Sequence, residues 1–152
     1  MVEIIALNGH LRLKAWEKQA DGTEKLIKDD LIKNLIVNVG KDTIMKRLGN
    51  MSGGGYAENI GVGDSSTAAA AGQTDLQASS NKTYKTIAGG DYIYTRPTLF
   101  MSVDFGYSEA NYTWNEVALR DDNDVLIARQ VDASPLVKTT SKRAIVEWQL
   151  SI

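Results

Sequence analysis

The segment from Asn59 to Gly72 holds the residues whose types and spacing come nearest to a known chemistry. It contains Gly61-Val62-Gly63, the start of the glycine pattern that wraps the phosphates of a dinucleotide. That pattern needs a third glycine three residues later and a helix whose N-terminus meets the phosphates. Here Ser66 replaces that glycine, no amphipathic helix follows, and the Lys-Ser/Thr ending of a phosphate loop is missing. We therefore predict a strand end that runs into a mobile loop of small residues, about 64–81, with glycines that permit close strand packing or a bulge.

His10 is the only histidine of the chain, and the chain has no cysteine. A lone histidine cannot form a two-histidine metal site, and no serine or threonine stands out as its partner in nucleophilic catalysis. Without cysteine, thiolate nucleophiles, disulfides and cysteine-based zinc sites are excluded. We predict no catalytic, cofactor-binding or metal-binding residues, and therefore no enzyme.

Acidic residues cluster at two places that merit a separate test. The oxygens of the segment 121–124, Asp-Asp-Asn-Asp, suit calcium, but the glycine and the distal glutamate of an EF-hand loop are missing. The same residue types are what a turn between two strands prefers, so we predict a turn and leave cation binding open.

Glu24, Asp29 and Asp30 could be imagined as the carboxylates of a glycosidase, yet nothing places them across a cleft. We interpret them as solvated hairpin charges.

The three tryptophans divide by the phase of their neighbours. Trp148 alternates in step with Ala144, Val146 and Leu150, which predicts a core position. Trp16 and Trp114 lie in phase with charged residues, which predicts exposure and makes them interface candidates. An exposed tryptophan could also serve as a platform for a carbohydrate.

Composition limits the remaining classes of function. A chain of 152 residues fits one domain, 1–152, and a net charge of -2 offers no basic face for nucleic acid. Met1–Leu7 lacks the basic flank and the long apolar run of a signal peptide, and no stretch approaches the length that spans a membrane. We expect a soluble protein made in the cytosol, with neither nucleic acid nor membrane as a partner.

The elements that must position these residues are mostly strands. Residues 10–18 alternate, Asp21-Gly22 supplies a hairpin turn, and a return strand begins at Glu24 with a bulge or bend at 28–30. Helical spacing with a terminal glycine predicts one short helix, about 41–48. Short alternating runs then recur at 56–62, 99–105, 112–120, 125–128 and 144–151.

Many short strands with one helix predict a mainly antiparallel β-sandwich with jelly-roll or Greek-key connections. A parallel α/β fold is not supported, because it needs several crossover helices.

Several blocks of residues, taken in order, resemble a family of small virion structural proteins of tailed bacteriophages. These blocks are 33–42 (KNLIVNVGKD), 59–68 (NIGVGDSSTA), 74–76 (TDL), 115–120 (NEVALR), 125–129 (VLIAR), 137–141 (VKTTS) and 144–150 (AIVEWQL). They span most of the chain between residues 33 and 152. Proteins of this kind are capsid decoration (cement) proteins or components of the tail, baseplate or fibre. The resemblance implies a β-sandwich without enzymatic activity or cofactor.

On this basis we expect a decoration protein that binds and stabilises the lattice of the major capsid protein and also contacts copies of itself. The chain is short and lacks the coiled-coil or collagen-like repeats of fibre shafts, which favours the capsid exterior over the tail. A tail, baseplate or fibre component is the alternative, and a carbohydrate-binding sandwich a more distant one. The candidate interface residues are Trp16, Trp114, Asp64, Ser65, Ser66 and Thr67.

Overall fold

A computed structural model describes residues 6–152, which contain ten strands and one α-helix. Residues 1–5, most of the segment tested above for a signal peptide, lie outside the described part. The elements are β1 (Asn8–Lys18), β2 (Glu24–Lys33), β3 (Leu35–Ile36), α1 (Asn38–Leu48), β4 (Ala57–Gly63), β5 (Lys82–Thr86), β6 (Tyr92–Thr95), β7 (Thr98–Phe105), β8 (Thr113–Asp121), β9 (Leu126–Val137) and β10 (Lys142–Ser151). One turn of 3₁₀-helix, Gly89–Asp91, precedes β6.

The strands form two antiparallel five-stranded sheets that pack as a sandwich, as the sequence predicts. The first sheet has the order β2-β1-β10-β7-β6, and the second has the order β3-β9-β8-β4-β5. Because side chains alternate across a strand, Leu11 and Leu13 of β1 and Val146 and Trp148 of β10 are all buried between the sheets. The prediction that Trp148 belongs to the core is confirmed.

The second sheet has a small core on its other face as well. Val37, Leu76, Ala118 and Leu126 form a separate buried cluster, because the loop 64–81 and the start of α1 lie over this face. Strand β4 is consequently buried from Asn59 to Gly63 without alternation. A strand covered on both sides has no polar face for a periodicity argument to detect.

The helix and the first hairpin differ from expectation in detail. The predicted helix 41–48 begins earlier, at Asn38, where the backbone N–H of Asn38 donates to the carbonyl of Ala71 at 2.8 Å. This partner from a distant loop is invisible in the local sequence. The irregularity predicted at 28–30 falls at Ile27, since the pairing steps from Ala15–Lys28 to Trp16–Leu26.

No helix among residues 6–152 is long and apolar enough to cross a bilayer.

Candidate functional site

The glycines of β4 serve close packing, as predicted from the absence of a following helix. A Cβ atom added to Gly61 would lie 2.5 Å from the ring of Tyr84, and one added to Gly63 would lie 2.4 Å from Oε1 of Glu116. Neither position could hold a larger residue without displacing these neighbours. The segment is therefore a buried strand followed, from Asp64, by a loop without regular structure.

The loop 64–81 is fastened to the sheet by a buried ion pair, whereas the sequence predicts a mobile loop. Nε of Arg129 lies 2.7 Å from Oε2 of Glu116, and both side chains are 0% exposed. Glu116 also accepts hydrogen bonds from the backbone N–H groups of Gln77 and Ala78, at 2.9 and 2.7 Å. Arg129 donates to the carbonyl of Thr67 at 2.7 Å. One carboxylate and one guanidinium thus hold both ends of the loop.

The four interface candidates of this loop share its fixed shape. Asn115 donates to the carbonyl of Asp64 at 2.7 Å, and Asn81 donates to the Asp64 carboxylate at 2.8 Å. Ser65 and Thr67 are joined through their hydroxyls at 3.0 Å. Asp64 and Ser65 are half-buried, and Ser66 and Thr67 are exposed. Only the last two present most of their surface outward.

The prediction that Trp114 is exposed is wrong. Trp114 is buried in the core and packs edge-on against Phe105, with ring centroids 5.1 Å apart. The pairing of β8 with β9 jumps from Trp114–Leu136 to Glu116–Val131, which breaks the alternation on which the prediction relied. Trp114 therefore joins the core face, and it cannot act as a carbohydrate platform.

Trp16 lies on the outer face of the first sheet with its charged neighbours, but it is half-buried there rather than exposed. It lines a depression of about 400 Å³ together with Arg12, Lys14, Ser102 and Glu147. The guanidinium of Arg143 stacks 4.3 Å from the centroid of its ring. This depression combines one aromatic side chain with several hydrogen-bonding groups.

The acidic turn at 121–124 is a structural joint. Asp121 is buried, and its carboxylate accepts hydrogen bonds from the Thr43 hydroxyl at 2.5 Å and from the backbone N–H groups of Asn123 and Val125 at 2.8 Å. The Thr43 hydroxyl in turn accepts from the N–H of Gly55 at 2.8 Å. The turn therefore ties α1 and the segment before β4 to the second sheet. Among residues 6–152, no group of three or more histidine or acidic side chains is arranged to hold a metal ion.

Lys138 has a clear structural role. Nζ of the buried Lys138 donates to the carbonyls of Gly106 and Glu109 and to the Asn111 amide, at 2.7, 3.0 and 3.0 Å. Burial lowers the pKa of this ammonium group below its ordinary value. His10 is half-buried within β1, opposite Gln149 on one side and Lys33 on the other.

An apolar groove of about 370 Å³ opens at one end of the sandwich, and the sequence does not predict it. Its lining includes Leu7, Ile44, Tyr56, Tyr94, Leu99 and Ile152. Ile44 of α1, the β6–β7 hairpin and the end of β10 meet here. Because the lining comes from six separate parts of the chain, only the fold brings these residues together.

Exposed apolar side chains continue outward from the groove along α1. Leu48 is 80% exposed and follows Ile44 by one helical turn, so both lie on the same side of the helix. Tyr94 is 68% exposed at the groove itself. We call the groove with Leu48 the apolar end. Contiguous apolar surface of this kind, rich in aromatic side chains, is typical of protein interaction sites.

Comparison of the chain with family models, with curated proteins and with solved structures finds no match.

Proposed function

We propose that this protein is a non-enzymatic structural component of a phage particle that binds the major capsid protein lattice through the apolar end. The observation that carries the proposal is the apolar groove at one end of the sandwich, with Tyr94 and Leu48 strongly exposed beside it. Placing such side chains in water is unfavourable, at about 25 cal/mol per Å² of apolar surface, so burial against a partner favours binding.

The loop 64–81 offers a second surface, because the Glu116–Arg129 pair holds it to the second sheet while Ser66 and Thr67 stay exposed. A segment that is already held in place loses less conformational entropy on docking than a free one. On a lattice, many copies can also bind one rigid particle, and individually weak contacts then hold it strongly. The blocks that resemble phage virion proteins give the lattice its proposed identity as a capsid.

The test uses capsids that have expanded without this protein. Purified protein is added and the bound fraction is measured by co-sedimentation. Leu48→Lys is the informative variant, because Leu48 is nearly free of intramolecular packing and lysine suits the end of a helix. We expect it to weaken capsid binding at least about tenfold, the effect of losing one apolar contact of about 1.4 kcal/mol.

Leu31→Lys is the matched control, since Leu31 is 61% exposed on β2, away from the apolar end, and its replacement should leave binding unchanged. Failure of the wild-type protein to bind capsids would refute the proposal, as would equal binding of the wild-type protein and Leu48→Lys. Incubation of the protein with purified tails tests the alternative that it is a tail component. That alternative predicts binding to tails and none to capsids.

The Trp16 depression favours carbohydrate binding as a second candidate function. A tryptophan ring beside Arg12, Lys14 and Glu147 offers both a stacking surface and hydrogen-bonding groups for a sugar. Binding on a glycan array that is lost in Trp16→Ala would support it. Absence of glycan binding by the wild-type protein across a broad array would reject this second function.

A further inference from the structure

The four edge strands of the sandwich differ in how they are protected against pairing with another chain. Natural proteins guard sheet edges with charged residues, with proline or with very short strands. Strand β2 carries three lysines and two aspartates within 25–33, β5 carries Lys82 and Lys85, and β3 has only two residues. Strand β6 reads Tyr-Ile-Tyr-Thr, without charge or proline. It is the unguarded edge among residues 6–152.

The side chains of β6 are exposed as well as apolar. Ile93 is 56% exposed on the outer face, where Phe100 lies opposite it in β7. Tyr94 lies on the other face, at the rim of the apolar groove. In an antiparallel ladder, alternate residues direct their N–H and C=O groups away from the neighbouring strand. Strand β6 therefore offers both unpaired backbone groups and apolar side chains to an added strand.

The charges at the two ends of β6 indicate which strand fits. Asp91 precedes the strand and Arg96 follows it, and both are exposed. A second β6 lying antiparallel brings the basic end of each copy beside the acidic end of the other. A parallel copy would instead bring like charges together. Together with its two flanking charges, β6 is thus complementary to a second copy of itself in the antiparallel direction only.

The register follows from symmetry. Two identical antiparallel strands are related by a two-fold axis perpendicular to the sheet, so residues that oppose each other must lie on the same face. Placing the axis at Ile93 sets Ile93 opposite Ile93 of the second copy and Tyr92 opposite Tyr94 of the second copy. The register thus forms two aromatic pairs, Tyr92 with Tyr94 and Tyr94 with Tyr92, and aromatic pairs are among the favourable cross-strand combinations.

We propose that β6 pairs antiparallel with β6 of a second copy of this chain, joining the two first sheets into one continuous sheet with Ile93 at the two-fold axis. Four residues provide few backbone hydrogen bonds, so the dimer depends on concentration and is favoured where copies are crowded. The pairing is argued from β6 and its flanking charges and does not rest on the proposed capsid partner. Tyr94 borders both surfaces, whereas Ile93 lies on the outer face and Leu48 on the helix, so variants of Ile93 and of Leu48 test the two proposals separately.

Cysteine cross-linking tests the pairing directly, because the chain has no cysteine of its own. An Ile93→Cys variant has a single thiol, which can form a disulfide only with another copy. Opposed residues of an antiparallel pair have the Cα spacing that a disulfide requires. We expect Ile93→Cys to give a cross-linked dimer under mild oxidation, and the control Leu31→Cys, on a guarded edge, to give at least about tenfold less. Equal cross-linking of the two variants would overturn the proposal.

Sedimentation velocity over a range of concentrations supplies the second measurement. Ile93→Lys should raise the dissociation constant of the dimer at least about tenfold, because two ammonium groups would oppose each other. Leu31→Lys should leave it unchanged. Asp91→Arg should weaken the dimer and the double variant Asp91→Arg/Arg96→Asp should restore it. The pairing would be refuted if the wild-type chain stayed monomeric at all concentrations tested. It would also be refuted if Ile93→Lys left the dissociation constant of the dimer unchanged.

Discussion

At the scale of single residues, the Glu116–Arg129 pair is the most consequential contact of the molecule. Both side chains are fully buried, and between them they bind Thr67, Gln77 and Ala78 of the loop. Transfer of two charges from water is costly, and the mutual attraction with added hydrogen bonds offsets that cost only while both partners are present. Loss of one partner leaves the other charged and unpaired in the interior.

We predict that Arg129→Met lowers the free energy of unfolding by about 3–5 kcal/mol, the usual cost of breaking a buried pair. The amide protons of Gln77 and Ala78 should also exchange faster with solvent, because Glu116 would no longer be held in place. Urea unfolding and hydrogen exchange measure the two effects. Lys82→Met serves as the control, since the Lys82–Asp75 pair touches the same loop but is partly exposed, and its loss should cost about 1 kcal/mol or less. Similar losses in the two variants would contradict this prediction.

At the scale of elements, the alternation of apolar and polar residues predicted the strands of the sandwich wherever one face is buried and the other is exposed to solvent. It identified β1, β7 and β10 with the correct inward residues, such as Leu13, Val103 and Val146. It failed for Trp114, where an irregular pairing reverses the phase. It also missed β5 and β6, which are edge strands of five and four residues without a regular alternation of buried and exposed positions.

The candidate site was less predictable than the fold for the same reason. The apolar end gathers Leu7, Ile44, Tyr94 and Leu150, which have no common periodicity in the sequence. The blocks that resemble virion proteins include Gly63, Thr67, Glu116 and Arg129, and the structure brings these together at the buried ion pair. Those blocks therefore describe how the second sheet is held together rather than which surface meets a partner.

The close approach of β4 to β8 gives a prediction at this scale. Gly63→Ala should destabilise the protein by about 1–3 kcal/mol, because the new methyl group would displace the Glu116 carboxylate, which lies 2.4 Å from the added Cβ. Gly72→Ala, in the loop that follows β4, is the matched control. Nothing lies within 4 Å of an added Cβ there, so the change should be neutral or stabilising by about 0.4–1 kcal/mol. Thermal or urea unfolding of both variants is the measurement, and equal stability of the two would refute the packing role of Gly63.

At the scale of the whole molecule, ion pairs across the first sheet contribute to the way the protein responds to acid. Two hydrogen bonds from Arg143, at 2.8 Å each, and one from the Tyr107 hydroxyl lower the pKa of Glu24 from 4.5 to about 2. Arg12 lowers the pKa of Asp29 in the same way. These contacts join β2 to β1, to β10 and to the loop after β7, so they link the edge of the sheet to its centre.

A carboxylate whose pKa is lower in the folded state stabilises that state fully above its unfolded pKa and loses the effect as pH falls toward its folded pKa. We therefore predict that the free energy of unfolding decreases as pH is lowered from about 4.5 to about 2. In Glu24→Gln, which cannot be protonated, the decrease over this range should be smaller. Urea unfolding at a series of pH values tests this.

Glu17→Gln is the control, because the Glu17 carboxylate accepts no side-chain hydrogen bond from residues 6–152. The dependence of its free energy of unfolding on pH should match that of the wild type. An identical acid dependence in Glu24→Gln and wild type would mean that Arg143 and Tyr107 do not couple this edge of the sheet to the stability of the whole.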